Sequence, residues 1–202
     1  DAFVNLSSVI NLSKYNCVIV QGDVSSSLGI ALSAFHNKIP IAYIESGLRT
    51  YSKFKDTNNN TTEPYPEEAT RRMISAIASI NFCPTLDNAF NLNQERVPGS
   101  LHITGQSGLD ALRELNYTPA TTNTIICTLH RRENQAELKE WFSVLDELAS
   151  IYTQYQFVLP IHRNPEIYKY KDTFKYVKCI DPLEHDEMAK ELSECLTVIS
   201  DS

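Results

Sequence analysis

Acids and bases gather in four short clusters along this chain: Gln21-Gly22-Asp23, Glu45-Ser46-Gly47-Leu48-Arg49-Thr50, Pro66-Glu67-Glu68 and His130-Arg131-Arg132-Glu133. Carboxylates suit proton transfer, and adjacent arginines with a histidine suit a phosphate, because guanidinium groups bind oxyanions through paired hydrogen bonds. Each cluster follows, or lies in the loop region after, an apolar run that reads as a buried strand. That places the ionisable groups at strand ends, where open α/β sheets hold their ligands. A fold by itself needs no such set there.

Every cluster also has a plainer reading. Asp23 either presents a carboxylate beside an anion-friendly helix start or caps the helix opened by Ser25-Ser26-Ser27. Glu45, between a strand end and Gly47, suits proton transfer or a sugar hydroxyl, or else forms a local ion pair with Arg49. Glu67 and Glu68 after Pro66 fit the first turn of a helix on capping grounds alone. His130-Arg131-Arg132 is a diphosphate clamp or a solvated basic patch, and His162-Arg163-Asn164-Pro165 repeats the arrangement after the next long strand. His102 and His185 have no partners in sequence and read as structural or surface residues.

The elements that position these groups follow from periodicity. The spacing predicts the end of a helix over 2–14, strands over 18–21, 40–45, 80–83 and 101–104, and helices over 25–36, 67–77, 86–94 and from Gly105 to about 115. Residues 51–65 are polar and turn-rich and read as a surface loop. Residues 117–123 read as a linker between a first domain, 1–116, and a second, 124–202. In the second domain the pattern predicts strands over 124–129, 156–160, 177–180 and 196–200, with helices over 136–152 and 185–194. Alternation of this kind argues for parallel βαβ units, hence two Rossmann-like domains.

Composition limits the partners. A net charge of −7 argues against general binding of nucleic acid or an anionic membrane, although 18 Lys and Arg allow a local phosphate pocket. No apolar run approaches the ~20 residues of a membrane helix, so the cytoplasm is the expected compartment. Five cysteines without paired spacing read as small buried hydrophobes rather than disulfides or a metal site. No Walker loop, Gly-x-Gly-x-x-Gly or Gly-x-Ser-x-Gly occurs. The start at Asp1 and the end directly after a strand suggest a piece of a longer protein.

At these residues the chain resembles the non-hydrolysing UDP-N-acetylglucosamine 2-epimerases. Gln-Gly-Asp with its Ser run, Ile-Glu-Ser-Gly-Leu-Arg-Thr, Pro-Tyr-Pro-Glu-Glu-Ala-x-Arg, Ile-Thr-Gly-x-Ser-x-x-Asp-Ala-Leu at 103–112 and His-Arg-Arg-Glu occur in that family's order. The resemblance implies the GT-B fold, α/β with two Rossmann-like domains and parallel sheets flanked by helices, here truncated at both termini. It implies epimerisation of UDP-GlcNAc to UDP-ManNAc by elimination of UDP and re-addition, with no metal or redox cofactor, and a homodimer in the full-length protein. It makes Asp23, Glu45 and Glu67 acid/base carboxylates, puts His130 and Arg131 at the diphosphate, and matches Ser202 to the start of a nucleotide loop. A GT-B glycosyltransferase and a non-catalytic nucleotide-sugar binding remnant are the alternatives. His185 and Met188 stand where Tyr and Phe are common in the family, and the 51–65 loop is longer than usual.

Overall fold

The computed structural model describes residues 14–50, 64–115, 117, 120–131 and 134–201. The helix end expected over 2–14, the 51–65 loop, Arg132, Glu133 and Ser202 fall wholly or largely outside the described residues. The chain divides into two compact units, residues 1–107 and 108–202.

Unit 1 runs β1 (Val18–Gln21), α1 (Ser25–His36), β2 (Ile41–Ile44), α2 (Glu67–Ile77), β3 (Ile80–Cys83), α3 (Leu86–Gln94) and β4 (Ser100–Ile103). Its strands pair in parallel in the order β1-β2-β3-β4. Right-handed crossovers that always step the same way leave their helices on one face of the sheet. Val18, Val20, Ile41 and Tyr43 turn to that face and pack with Leu28, Ala31 and Ala34 of α1 and Ile74 of α2. Cys83 packs with Ala89 and Leu92 of α3 in a smaller cluster beside it. The expected strand over 40–45 is shorter at both ends. Glu45 leaves the strand because its φ is +66°, outside the extended region.

Unit 2 contains α4 (Ser107–Glu114), which begins at the boundary, then β5 (Thr124–Thr128), α5 (Leu138–Ile151), β6 (Gln156–Pro160), α6 (Pro165–Tyr168), β7 (Lys178–Ile180), α7 (His185–Glu194) and β8 (Thr197–Ser200). The parallel order is β7-β6-β5-β8. From β5 the chain steps outward through β6 to β7 and then crosses back to β8 on the far side of β5. The strand order therefore reverses between β5 and β8. Such a switch point opens a crevice at the carboxyl ends of the two strands. The core is Ile125, Cys127, Phe157 and Leu159 of the sheet against Leu138, Phe142, Leu145 and Ala149 of α5.

Residues 120–123 are tied into unit 2: the Ala120 and Thr122 N–H groups donate to the Ser193 and Glu194 carbonyls at the end of α7. Periodicity gives no sign of the short helix α6. Asn164 caps it, its Oδ1 accepting the Glu166 N–H at 3.0 Å, and Pro165 supplies the first helical position. All five cysteines are free, but only Cys83 and Cys127 are buried, and Cys17 is exposed. Cys17 stands just ahead of β1, beyond the reach of the core.

Candidate functional site

Three expected acids lie on the carboxyl-terminal side of the unit 1 sheet, after β1, after β2 and at the start of α2, and their surroundings differ. Asp23, two residues past β1, receives Arg71 of α2: Nε lies 2.7 Å and Nη2 2.5 Å from Oδ2. The helix-cap reading of Asp23 is not used. The N-cap of α1 is Val24, and no side chain caps it. Ser27 instead donates its hydroxyl to the Gln21 carbonyl at 2.7 Å, fixing the end of β1 to the first turn of α1.

Glu45 accepts a hydrogen bond from Gln21 Nε2 at 3.2 Å, joining the ends of β1 and β2. Its left-handed backbone is uncommon for a non-glycine residue, and such conformations persist only where surrounding structure enforces them. The enforcing contacts lie just beyond. Gly47, with φ +89°, is pressed so close to α3 that a Cβ there would sit 2.2 Å from the Asn88 carbonyl oxygen. Asn91 and Asn88 donate their amides to the Gly47 carbonyl at 3.0 and 3.3 Å. The Ser46 hydroxyl donates to Asn81 Oδ1 at 2.7 Å.

The plainer reading of Glu45, a local ion pair with Arg49, is not what forms. Arg49, its side chain wholly buried, forks onto Glu95 at the end of α3, with Nε to Oε1 at 2.8 Å and Nη2 to Oε2 at 2.7 Å. Arg72 bridges Glu95, at 3.1 Å, to Glu68, at 2.8 Å. Glu68 is fully buried and also accepts the Thr50 N–H at 3.0 Å. The network therefore clamps the loop after β2 between α2 and α3 and leaves Glu45 without an arginine ion pair among the described residues. Glu67, one residue earlier, is half-buried and makes no ion pair among the described residues.

Beneath these groups Tyr43 is completely buried, and its hydroxyl has no hydrogen-bond partner among the described residues. Burial first, then the charge of Asp23, raises its phenol well above the ordinary value, against the opposing charges of Arg49 and Arg71. The phenol therefore stays protonated.

In unit 2 the expected His130 and Arg131 follow β5, both exposed. The His130 ring lies against His162, which follows β6, with centroids 5.3 Å apart. His162 Nδ1 accepts the Asn164 N–H at 3.0 Å, which leaves Nε2 to carry the proton of the neutral ring. The expected second basic cluster thus comes to the same sheet edge as the first. Arg163 points elsewhere and pairs with Glu184 at 2.5 Å. His102 is exposed beside Phe82, and His185 is exposed beside Asp186. No group of three or more His, Cys, Asp or Glu side chains suited to a metal occurs among the described residues.

Sequence reasoning named Glu68 only as a helix-start acid and gave no site role to Arg71, Glu95 or Asp201. Glu68 and Arg72 carry a local signal, an i,i+4 pair on one helix. Glu95 carries none, because its partner Arg49 lies 46 residues away.

The whole chain, residues 1–202, matches the family model described as UDP-N-acetylglucosamine 2-epimerase. A UDP-N-acetylglucosamine 2-epimerase of Neisseria meningitidis is 32% identical over 98% of this chain and 57% of its own length. The crystal structure of the UDP-GlcNAc 2-epimerase from Neisseria meningitidis bound to UDP-GlcNAc superposes with a TM-score of 0.81 at 31% identity, covering 100% of this chain and 58% of that one. The S. aureus MnaA–UDP structure gives 0.82 at 28% identity, covering 100% and 57%. The chain thus spans a little under three fifths of the relatives it matches.

Proposed function

Because the chain belongs to the UDP-N-acetylglucosamine 2-epimerase family, we propose that the protein interconverts UDP-GlcNAc and UDP-ManNAc by inverting the configuration at C2. The observation that carries this reading is the set of three carboxylates at one sheet edge, one tied to arginine, one held by an amide and one without an ion pair. Inversion at a carbon needs proton exchange on two faces, hence more than one acid/base group.

In this reading UDP leaves first. The C1–O bond breaks with its electron pair going to the diphosphate, and C2 loses its proton to a carboxylate, giving a 2-acetamidoglucal. A proton then returns to the other face of C2 while UDP adds back to C1. The C2 hydrogen is only weakly acidic until C1 becomes cationic, so charge stabilisation of the departing diphosphate is the larger requirement. His130 and Arg131 are assigned that task, with Asp23, Glu45 and Glu67 as the proton-transfer set. Arg71 offsets the charge of Asp23, and the clamp around Gly47 holds Glu45 in its left-handed conformation, so neither carboxylate has to be ordered during the reaction.

The test is C2 deuterium incorporation, followed by proton NMR, when the complete gene product containing this chain meets UDP-GlcNAc in deuterated water. Exchange with appearance of UDP-ManNAc is expected, reduced about 100-fold or more in Asp23→Asn and in Glu45→Gln. UDP-GlcNAc binding without any exchange would sink the proposal, and release of UDP only when a sugar acceptor is added would make the protein a transferase.

A further inference from the structure

At the switch point of unit 2 the chain supplies its own anion. Asp201 directly follows β8, and its carboxylate turns across to the end of β5. Oδ2 accepts the Arg131 N–H at 2.9 Å and Asn134 Nδ2 at 3.0 Å, and the His130 N–H lies 3.2 Å from each carboxylate oxygen. The Asp201 N–H donates in turn to the Thr128 carbonyl at 3.3 Å, and the Thr128 hydroxyl reaches Ser200 Oγ at 3.1 Å.

Successive backbone N–H groups beyond a strand are a common means of holding phosphate in sheets of this type. Here two of them are occupied by a side chain that arrives from 70 residues away. Hydrogen bonds from a carboxylate to backbone N–H groups are charge-assisted and short, so they hold a loop firmly.

We propose that Asp201 is a positioning residue that fills the amide cradle after β5, fixes the His130-Arg131 turn and leaves the side chains of that turn, rather than its backbone, to receive a nucleoside diphosphate. The ligand class rests on the function proposed above; the cradle does not. Burial works against the charge on Asp201, but the bonds from Asn134, Arg131 and His130 outweigh it and hold the carboxyl below its ordinary value. The anion is therefore in place at neutral pH.

Two variants of the complete gene product test this, with UDP as the probe in titration calorimetry. Asp201→Asn keeps the shape but offers one acceptor oxygen to two backbone donors, and UDP affinity is expected to fall about tenfold or more while cooperative thermal unfolding is retained. The exchanged pair Asp201→Asn with Asn134→Asp rebuilds the bond between positions 201 and 134 in reverse without restoring the cradle, so binding should stay weak. Wild-type affinity in Asp201→Asn, or full recovery in the exchanged pair, overturns the proposal.

An acid titration of the unmutated protein by NMR is a second test that needs no variant to fold and no ligand. The His130 and Arg131 amide protons should shift together with the Asp201 carboxyl carbon. Amides that stay in place as that carbon titrates overturn the cradle. Failure of UDP to bind the unmutated protein would count against the proposed function and leave this titration to judge Asp201.

Discussion

Glu67 and Glu68 are neighbours with opposite surroundings. Glu68 is fully buried, bonded to Arg72 and the Thr50 N–H, and 3.6 Å from Arg71. A glutamine there keeps one acceptor oxygen and turns the other into a donor, so Arg72 and the Thr50 amide, which use different oxygens, cannot both stay bonded, and hydrogen bonds to buried charged groups are worth about 1.5–3 kcal/mol. Glu68→Gln is expected to lower stability by about 2–3 kcal/mol in urea unfolding. Glu67 makes no ion pair among the described residues, so Glu67→Gln should stay within about 0.5 kcal/mol of the parent. In the complete gene product Glu67→Gln should nevertheless reduce C2 exchange about 100-fold. A large stability loss in Glu67→Gln, or none in Glu68→Gln, would reverse the division between the carboxylate that builds the site and the one offered to a ligand.

Helices α1 and α3 end in the same way. Beyond α1 the Ile39 N–H donates to the Ala34 carbonyl and the Lys38 N–H to the Phe35 carbonyl, and beyond α3 Val97 and Arg96 donate to Leu92 and Asn93. This is the Schellman arrangement, and in both helices the left-handed position holds a side chain: Lys38 at φ +58° and Arg96 at φ +55°. Ile39 and Ala34 share one core cluster, and Val97 packs with Leu92 in the other, so each end carries the accompanying apolar contact. A left-handed conformation costs a residue with a Cβ about 1–2 kcal/mol. Lys38→Gly and Arg96→Gly are each expected to raise the thermal midpoint, gaining about 1 kcal/mol after the added backbone entropy of the unfolded chain. A lowered midpoint in both would show that the two side chains contribute more than their backbone strain costs.

Across the whole molecule, stability at low pH depends on carboxylates whose folded environment favours the charged form. In unit 1 the Arg49 hydrogen bond lowers Glu95, against burial and with further help from the charges of Arg49 and Arg72. In unit 2 burial acts against Asp146, but the N–H groups of Tyr176, Val177 and Lys175 overcome it, so it too titrates below its ordinary value. Asp201 follows the same pattern. A depressed folded value means that the stabilisation is fully present above the unfolded carboxylate value of about 4 and is lost as pH falls through the lower folded value. Urea midpoints should therefore be level on this account from pH 8 to 6 and drop steeply below about pH 4. Asp146→Asn should flatten that acid slope, and an unchanged slope would mean that Asp146 is not among its sources.

The periodic elements were legible in the sequence because burial is a local pattern: an apolar run such as Ile125–Cys127, buried throughout in β5 between β6 and β8, reads as a strand from its residues alone. The acids at strand ends were legible for the same reason, since a strand end fixes where the next side chain begins. Which charges meet was decided by the tertiary structure. Arg49 lies four residues from Glu45 yet pairs with Glu95, because the turn at Gly47 is locked against α3 and carries the arginine there. Asp201 reaches His130 and Arg131 only because β8 pairs with β5 in parallel register, which brings the two strand ends level. Ion-pair partners depend on strand order and register, which no local spacing encodes.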